Sequence, residues 1–300
     1  MNVNPAIERL GFKADDRVAI IHVDDVGMCG ATLDAFSDLW AKRSVTCGSV
    51  MVPCPWFRAT AAWARANPDA DLGVHATLTC EWDGYRWGPM STADMASGLM
   101  DGERAFHKTS EAVAEFARPE AAKRELQLQI ATAKDAGMVP THLDTHMGSV
   151  MHSQLYRHFV DAAMEAGLAP FSIRLEEDGW SKGHYDAKTI AAFSENTRDL
   201  LKKNVPMLDR ISQLTLFNGE HDRVNRTLEM VSKAKPGQIS YLIFHPATDT
   251  PELRAICPDW RSRVADYEML AAGTVRQHLE DQGVKLIGCR ELQALMPKAA

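Results

Sequence analysis

The sequence predicts an α/β protein: a single barrel-like (β/α) domain over residues 1–300, with about seven or eight parallel strands and an incomplete or distorted closure. Three observations predict it. Short apolar runs alternate with longer helical patterns along the chain, the pattern of parallel strands joined by crossover helices. That many strands in 300 residues suits one barrel. No internal repeat, low-complexity tract or Pro/Gly-rich linker marks a domain boundary.

The strands follow in order. RVAIIHV (17–23) is an apolar, β-branched run of strand length, and SVTCGSVMV (44–52) and DLGVHATLT (71–79) have the same character. PTHLDTH (140–146) alternates, with polar side chains on one face. FSIRLE (171–176), ISYLIFH (239–245) and GVKLIG (283–288) complete the set, with LTLF (214–217) a weaker candidate. Helical periodicity fills the gaps at 31–43, 56–67, 119–137, 153–167 and 266–283. The stretches 81–108 and 177–207, rich in Trp, Gly and polar residues, read as long loops able to cover a site.

Composition narrows the function. Hydrophobic residues make up 45% of the chain, enough for a sizeable core, and the net charge of -7 argues against a nucleic-acid or anionic-membrane surface. The six cysteines are scattered without a CxxC pair, which suits reduced thiols. The opening MNVNPAIERLGFKADDR lacks the apolar core of a secretory leader, and no stretch reaches the length of a membrane span, so a cytoplasmic location is expected.

In parallel α/β folds the chemistry collects beyond the C-terminal ends of the strands. The first strand ends in Asp24-Asp25 followed by Gly27. Alone, that pair reads as a turn with an acidic helix cap. The third strand carries His75 in an apolar run, which alone would be a hydrogen-bonded core residue. The fourth places His142, Asp144 and His146 on one face, and a late strand ends in His245-Pro246. Chance explains each feature but not four strands delivering Asp or His to one sheet end. An Asp/His/His set with open positions makes a catalytic divalent site, with a spare carboxylate able to act as base and a histidine as acid.

At these residues the chain resembles the YdjC-like (ChbG/HpnK) carbohydrate deacetylase family. VDDVG stands for the family's ADDFG, GVHATLT for GxHxxLT, PTHLDTH for PTHLDSH and FHPA for CHPA, in the family's order from Asp24 to Ala247. GVKLIGCREL (283–292) resembles its C-terminal strand and arginine. The resemblance implies a barrel of parallel strands that removes acetyl groups from N-acetylated sugars. It implies Asp25, His75 and His146 as metal ligands, Asp24 as catalytic base, and His245 in the site as the acid protonating the departing amine. It carries one divalent metal ion, with zinc or magnesium favoured. Val26 replaces the family's phenylalanine, and Met147-Gly148-Ser149-Val150 replaces its histidine-rich continuation, a change that bears on the substrate.

Around this set, His142 and Asp144 are candidates for holding the ligands or Asp24 by hydrogen bonds, with plain core bonding the equal alternative; His22 is read the same way. Arg174, Arg290 and Trp82 are candidates for substrate contact, with Tyr85 and Trp87 as further stacking surfaces. For Arg174 a structural ion pair is the competing reading. The expected partner is a small acetylated sugar or oligosaccharide, with no nucleic acid or membrane, and a homodimer is left open. Competing functions are another metal-dependent hydrolase on the same barrel (a phosphoesterase or amidohydrolase), a metal-free glycosidase and a non-catalytic sugar-binding relative. The glycosidase is disfavoured because Asp24 and Asp25, as neighbours on a strand, are expected to point opposite ways.

Overall fold

The computed structural model describes residues 3–175, 185–216 and 222–297. The apolar runs form β1 (Val18–Val26), β2 (Cys47–Val50), β3 (Leu72–Ala76), β4 (His142–Thr145), β5 (Ala169–Pro170), β6 (Arg210–Ser212), β7 (Ile239–Phe244) and β8 (Lys285–Leu286). Every pairing among them is parallel. The order is β5-β4-β3-β2-β1-β7-β6. A parallel bridge between Ile173 and Leu208, just beyond β5 and just before β6, draws the two edges together. The sheet is therefore a curled, thinly closed barrel of seven strands. The short β8 pairs with Val18 and Ala19 at the foot of β1.

Helices Gly30–Ala41, Phe57–Ala66, Pro119–Asp135, Tyr156–Ala166, Ala187–Lys202, Arg223–Val231 and Trp260–Ala271 supply the crossovers and the outer layer. Every residue of β1 is buried. Its alternation sends Ala19, Ile21 and Val23 into the larger apolar cluster, while Val18 and Ile20 join a smaller one. That smaller cluster, with Ile239, Tyr241, Ala169 and Leu208, fills the foot of the barrel. It is capped from below by Ala6, Ile7 and Leu292. His22 and Asp24 continue the inward row above it.

Four expectations shift. The 177–207 stretch, expected as a loop, holds the helix Ala187–Lys202. FSIRLE is not a strand: β5 is Ala169–Pro170, and beyond it the chain keeps only the Ile173 bridge. LTLF gives way to Arg210–Ser212, a mostly polar segment that pairs with β7 without an apolar run to announce it. Residues 176–184 and Phe217, parts of these predicted stretches, lie outside the described residues. The 266–283 helix is two, Trp260–Ala271 and Thr274–Asp281, separated at Gly273 in the left-handed region (φ 73°). Among the described residues no helix is long and apolar enough to cross a membrane.

Candidate metal centre and active site

At the upper end of β1 the backbone departs from strand geometry. Pairing with β2 shifts register between Val23 and Val26, and Asp25 sits at φ 61°. Such a bulge turns a side chain that would otherwise face away. Asp24 and Asp25 consequently line the same cavity, which corrects the expectation that they point opposite ways. Gly27 (φ 80°) completes the turn under the helix Phe57–Ala66: a β-carbon there would stand 2.4 Å from Thr60 Oγ1.

Asp25 Oδ1 lies 3.3 Å from His75 Nε2 and 3.1 Å from His146 Nδ1. All three residues are buried, and Asp25 Oδ1 and His75 Nε2 have no hydrogen-bond partner. Donors each about 2.0–2.2 Å from one ion stand about 3.0–3.4 Å apart, so the spacing fits a shared divalent cation. The electrostatics agree. Burial alone would raise the Asp25 carboxyl, but Arg263 and His146 hold it well below the usual carboxylate range. Burial would lower His146, but Glu81 and Asp25 outweigh it and push the imidazole up to about 9. His75 is raised well above an ordinary histidine against its burial by Asp144 and Asp24. The cluster is short of positive charge, and the ring protons supply what a cation would.

The outer faces of both rings meet carboxylates. His75 Nδ1 lies 2.8 Å from Asp144 Oδ1, and His146 Nε2 lies 3.1 Å from Glu81 Oε2. This carboxylate–histidine pattern fixes which nitrogen faces inward. Asp144 also accepts from Ser49 Oγ (2.8 Å) and lies 2.8 Å from His22 Nε2. Arg263 Nη1 donates to Asp25 Oδ2 at 2.8 Å and its Nε to Asp259 Oδ1 at 2.9 Å, leaving Asp25 Oδ1 free to face the histidines. Asp24 stands beside the set, its Oδ1 3.0 Å from His22 Nε2 and its Oδ2 3.6 Å from His245 Nε2. The His245 backbone N–H donates to Asp266, which Arg223 grips at 2.7 Å.

These residues open onto a cavity of about 470 Å³ whose far wall is apolar, including Met151, Phe171, Ile211, Leu214 and Ile243. Trp82 lines it, under the Arg263 guanidinium 5.7 Å away. The other aromatics turn inward: Tyr85 donates to the Met28 carbonyl and Trp87 to that of Thr79. Two expected substrate contacts are elsewhere. Arg174 pairs with Asp209 at 2.7 Å beside the start of β6, the structural ion pair. Arg290 sits at the foot of the sheet, donating to Ala70 O, next to a separate cleft of about 640 Å³ that holds none of the candidate ligands. His142 stacks edge-on against His22 with its Nδ1 2.9 Å from Thr141 Oγ1, and it reaches neither a ligand nor Asp24. Burial, with His22 nearby, lowers it to about 3, so it is a neutral core group.

Glu81, Arg263 and Asp259 were not singled out in the sequence. Glu81 carried a signal, an acid just past the GVHATLTC strand end. The Asp259–Arg263 spacing reads only as an ordinary i,i+4 pair on a helix face.

A family model described as YdjC-like protein matches residues 18–281. The chain belongs to the YdjC-like family. A Thermus thermophilus protein named carbohydrate deacetylase is 34% identical over 278 residues, covering 92% of this chain and 94% of its own. A Brevibacillus brevis protein of the same name is 23% identical, covering 91% and 98%. A crystal structure from Enterococcus faecalis V583, described as a candidate cellobiose-phosphate cleavage protein, covers 92% of this chain and 99% of its own. Its TM-score of 0.73 at 21% identity shows that the YdjC-like chain shares its fold.

Proposed function

We propose that the protein is a metal-dependent carbohydrate deacetylase that hydrolyses the N-acetyl group of an amino sugar or short oligosaccharide, with the whole chain acting as one catalytic domain. The observation that carries the reading is the convergence of Asp25 Oδ1, His75 Nε2 and His146 Nδ1 at ligand spacing beside the carboxylate of Asp24. The names of the relatives supply the substrate class.

A divalent ion held by that trio would polarise the acyl carbonyl and lower the pKa of a nearby water. Zinc suits the mixed N/O donor set, and magnesium suits it if waters complete the shell. Asp24, steadied by His22, takes the proton of the attacking water. His245, on the other side of Asp24, returns a proton to the amine nitrogen as the C–N bond breaks. Acetate and the free amine leave, and no side chain becomes acylated. Arg263 keeps Asp25 oriented by occupying its second oxygen, and Trp82 offers a face to the sugar ring.

A phosphoesterase is less well supported. Among the described lining residues Arg263 is the one guanidinium, and Asp25 and Asp259 already hold it. All six cysteines are free thiols, which supports a reducing cytoplasmic setting. The test is acetate release from N-acetylated sugars alongside metal analysis of wild type and His146→Ala. The expected result is activity in the wild type, and loss in the variant of both that activity and the one ion held by the trio. No bound ion in the wild type, or full activity in the variant, refutes the proposal.

A further inference from the structure

Below Asp24, on the same inward row of β1, a second set of donors converges. His22 and Cys47 are register partners on β1 and β2, and Cys289 begins the helix Cys289–Ala294 that caps the barrel foot. His22 Nδ1 lies 3.2 Å from Cys47 Sγ, and Cys47 Sγ lies 3.7 Å from Cys289 Sγ. All three are buried. We propose that His22 Nδ1, Cys47 Sγ and Cys289 Sγ form a second cation site, for a thiophilic ion of the zinc class, distinct from the Asp25/His75/His146 centre.

Three arguments support it. First, the geometry fits. Metal–sulfur bonds of about 2.3 Å and metal–nitrogen bonds of about 2.0 Å in a tetrahedron put donors about 3.5–3.8 Å apart. The sulfur–sulfur edge matches, and the nitrogen–sulfur edge is a few tenths short. Second, the tautomer is set. His22 Nε2 lies 3.0 Å from Asp24 Oδ1 and 2.8 Å from Asp144 Oδ2. Carboxylates only accept, so that nitrogen carries hydrogen, and in the neutral ring the Nδ1 lone pair faces Cys47. This is the carboxylate–histidine arrangement that backs His75 in the upper site. Third, one of the three donors, Cys289, borders open space. A cavity of about 10 Å³ is lined by Cys289, Tyr241 and His142, enough for about one water. His142 Nε2, buried and without a hydrogen-bond partner, belongs to a residue lining it.

Charge balances as well. A divalent ion displaces the two thiol protons to solvent, and the two thiolates then neutralise it. None of this rests on the deacetylase reading, because the ligands do not overlap.

Cobalt(II) is the probe, added to the full-length protein kept reduced with a phosphine. The wild type is expected to take up two equivalents, one of them with a thiolate-to-cobalt charge-transfer band in the near ultraviolet. Cys47→Ser and Cys289→Ser should each lose the band and one equivalent. His146→Ala should keep the band and lose the other equivalent. Cys289→Ala, which leaves no hydroxyl in the buried position, provides a second variant if a serine does not fold. A wild type without the band overturns the proposal. So does a band that survives in both Cys47 and Cys289 variants, which would assign it to other thiols.

Discussion

The two candidate ligand histidines are backed by carboxylates in unlike surroundings. Behind His75, Asp144 is buried inside the barrel and also holds Ser49 and His22. Behind His146, Glu81 is a loop residue whose side chain is 18% exposed and borders the cavity beside the trio. The first backing is shared with the core, so disturbing it should cost both metal and fold. The second is local to the site and should cost metal alone. Stability and metal affinity are therefore separable on one ring and joined on the other.

The largest test of that contrast removes the rings. His75→Ala and His146→Ala should each abolish measurable acetate release and lose one equivalent of metal in elemental analysis; an unchanged metal content in either would mean the trio is not the ligand set. Next, Asp24→Asn should lower kcat by about 10²–10⁴-fold with metal still bound. Loss of the metal together with the rate would make Asp24 a ligand instead. Asp144→Asn should weaken metal binding by about 10–100-fold and, by stranding buried partners, destabilise the fold by about 1–3 kcal/mol in urea unfolding. Glu81→Gln should weaken metal binding by about 10-fold while leaving the urea midpoint unchanged. Equal midpoints for Asp144→Asn and Glu81→Gln would erase the contrast. The smallest effect is at Arg290→Ala, remote from the cavity, where kcat/KM should stay at the wild-type value; a large drop there would reinstate it as a substrate contact.

The alternation of apolar runs and helical patterns made the barrel legible, because inward and outward faces of parallel strands impose that pattern whatever the chemistry above them. The same logic marked Asp24, Asp25, His75, His146 and His245, since polar residues at the ends of apolar strands need a reason to be there. It misread β6, whose Arg210–Ser212 pairs without an apolar run, and it gave Arg174 and Arg290 readings that strand position alone could not separate.

The sequence by itself determined the alternating parallel α/β architecture, the order of the motifs and the residue types delivered to the sheet's upper edge, all properties of local spacing. Only the tertiary structure decided how those residues combine. The positive φ at Asp25 turns two neighbouring acids into one cavity, a conformation fixed by the packing of Gly27 against Thr60 and by Arg263 on the second oxygen. Glu81 and Arg263 join the site from a loop and a distant helix. Contacts between segments far apart in the chain leave no periodicity to read, because they are set by closure of the barrel and not by any local run of residues.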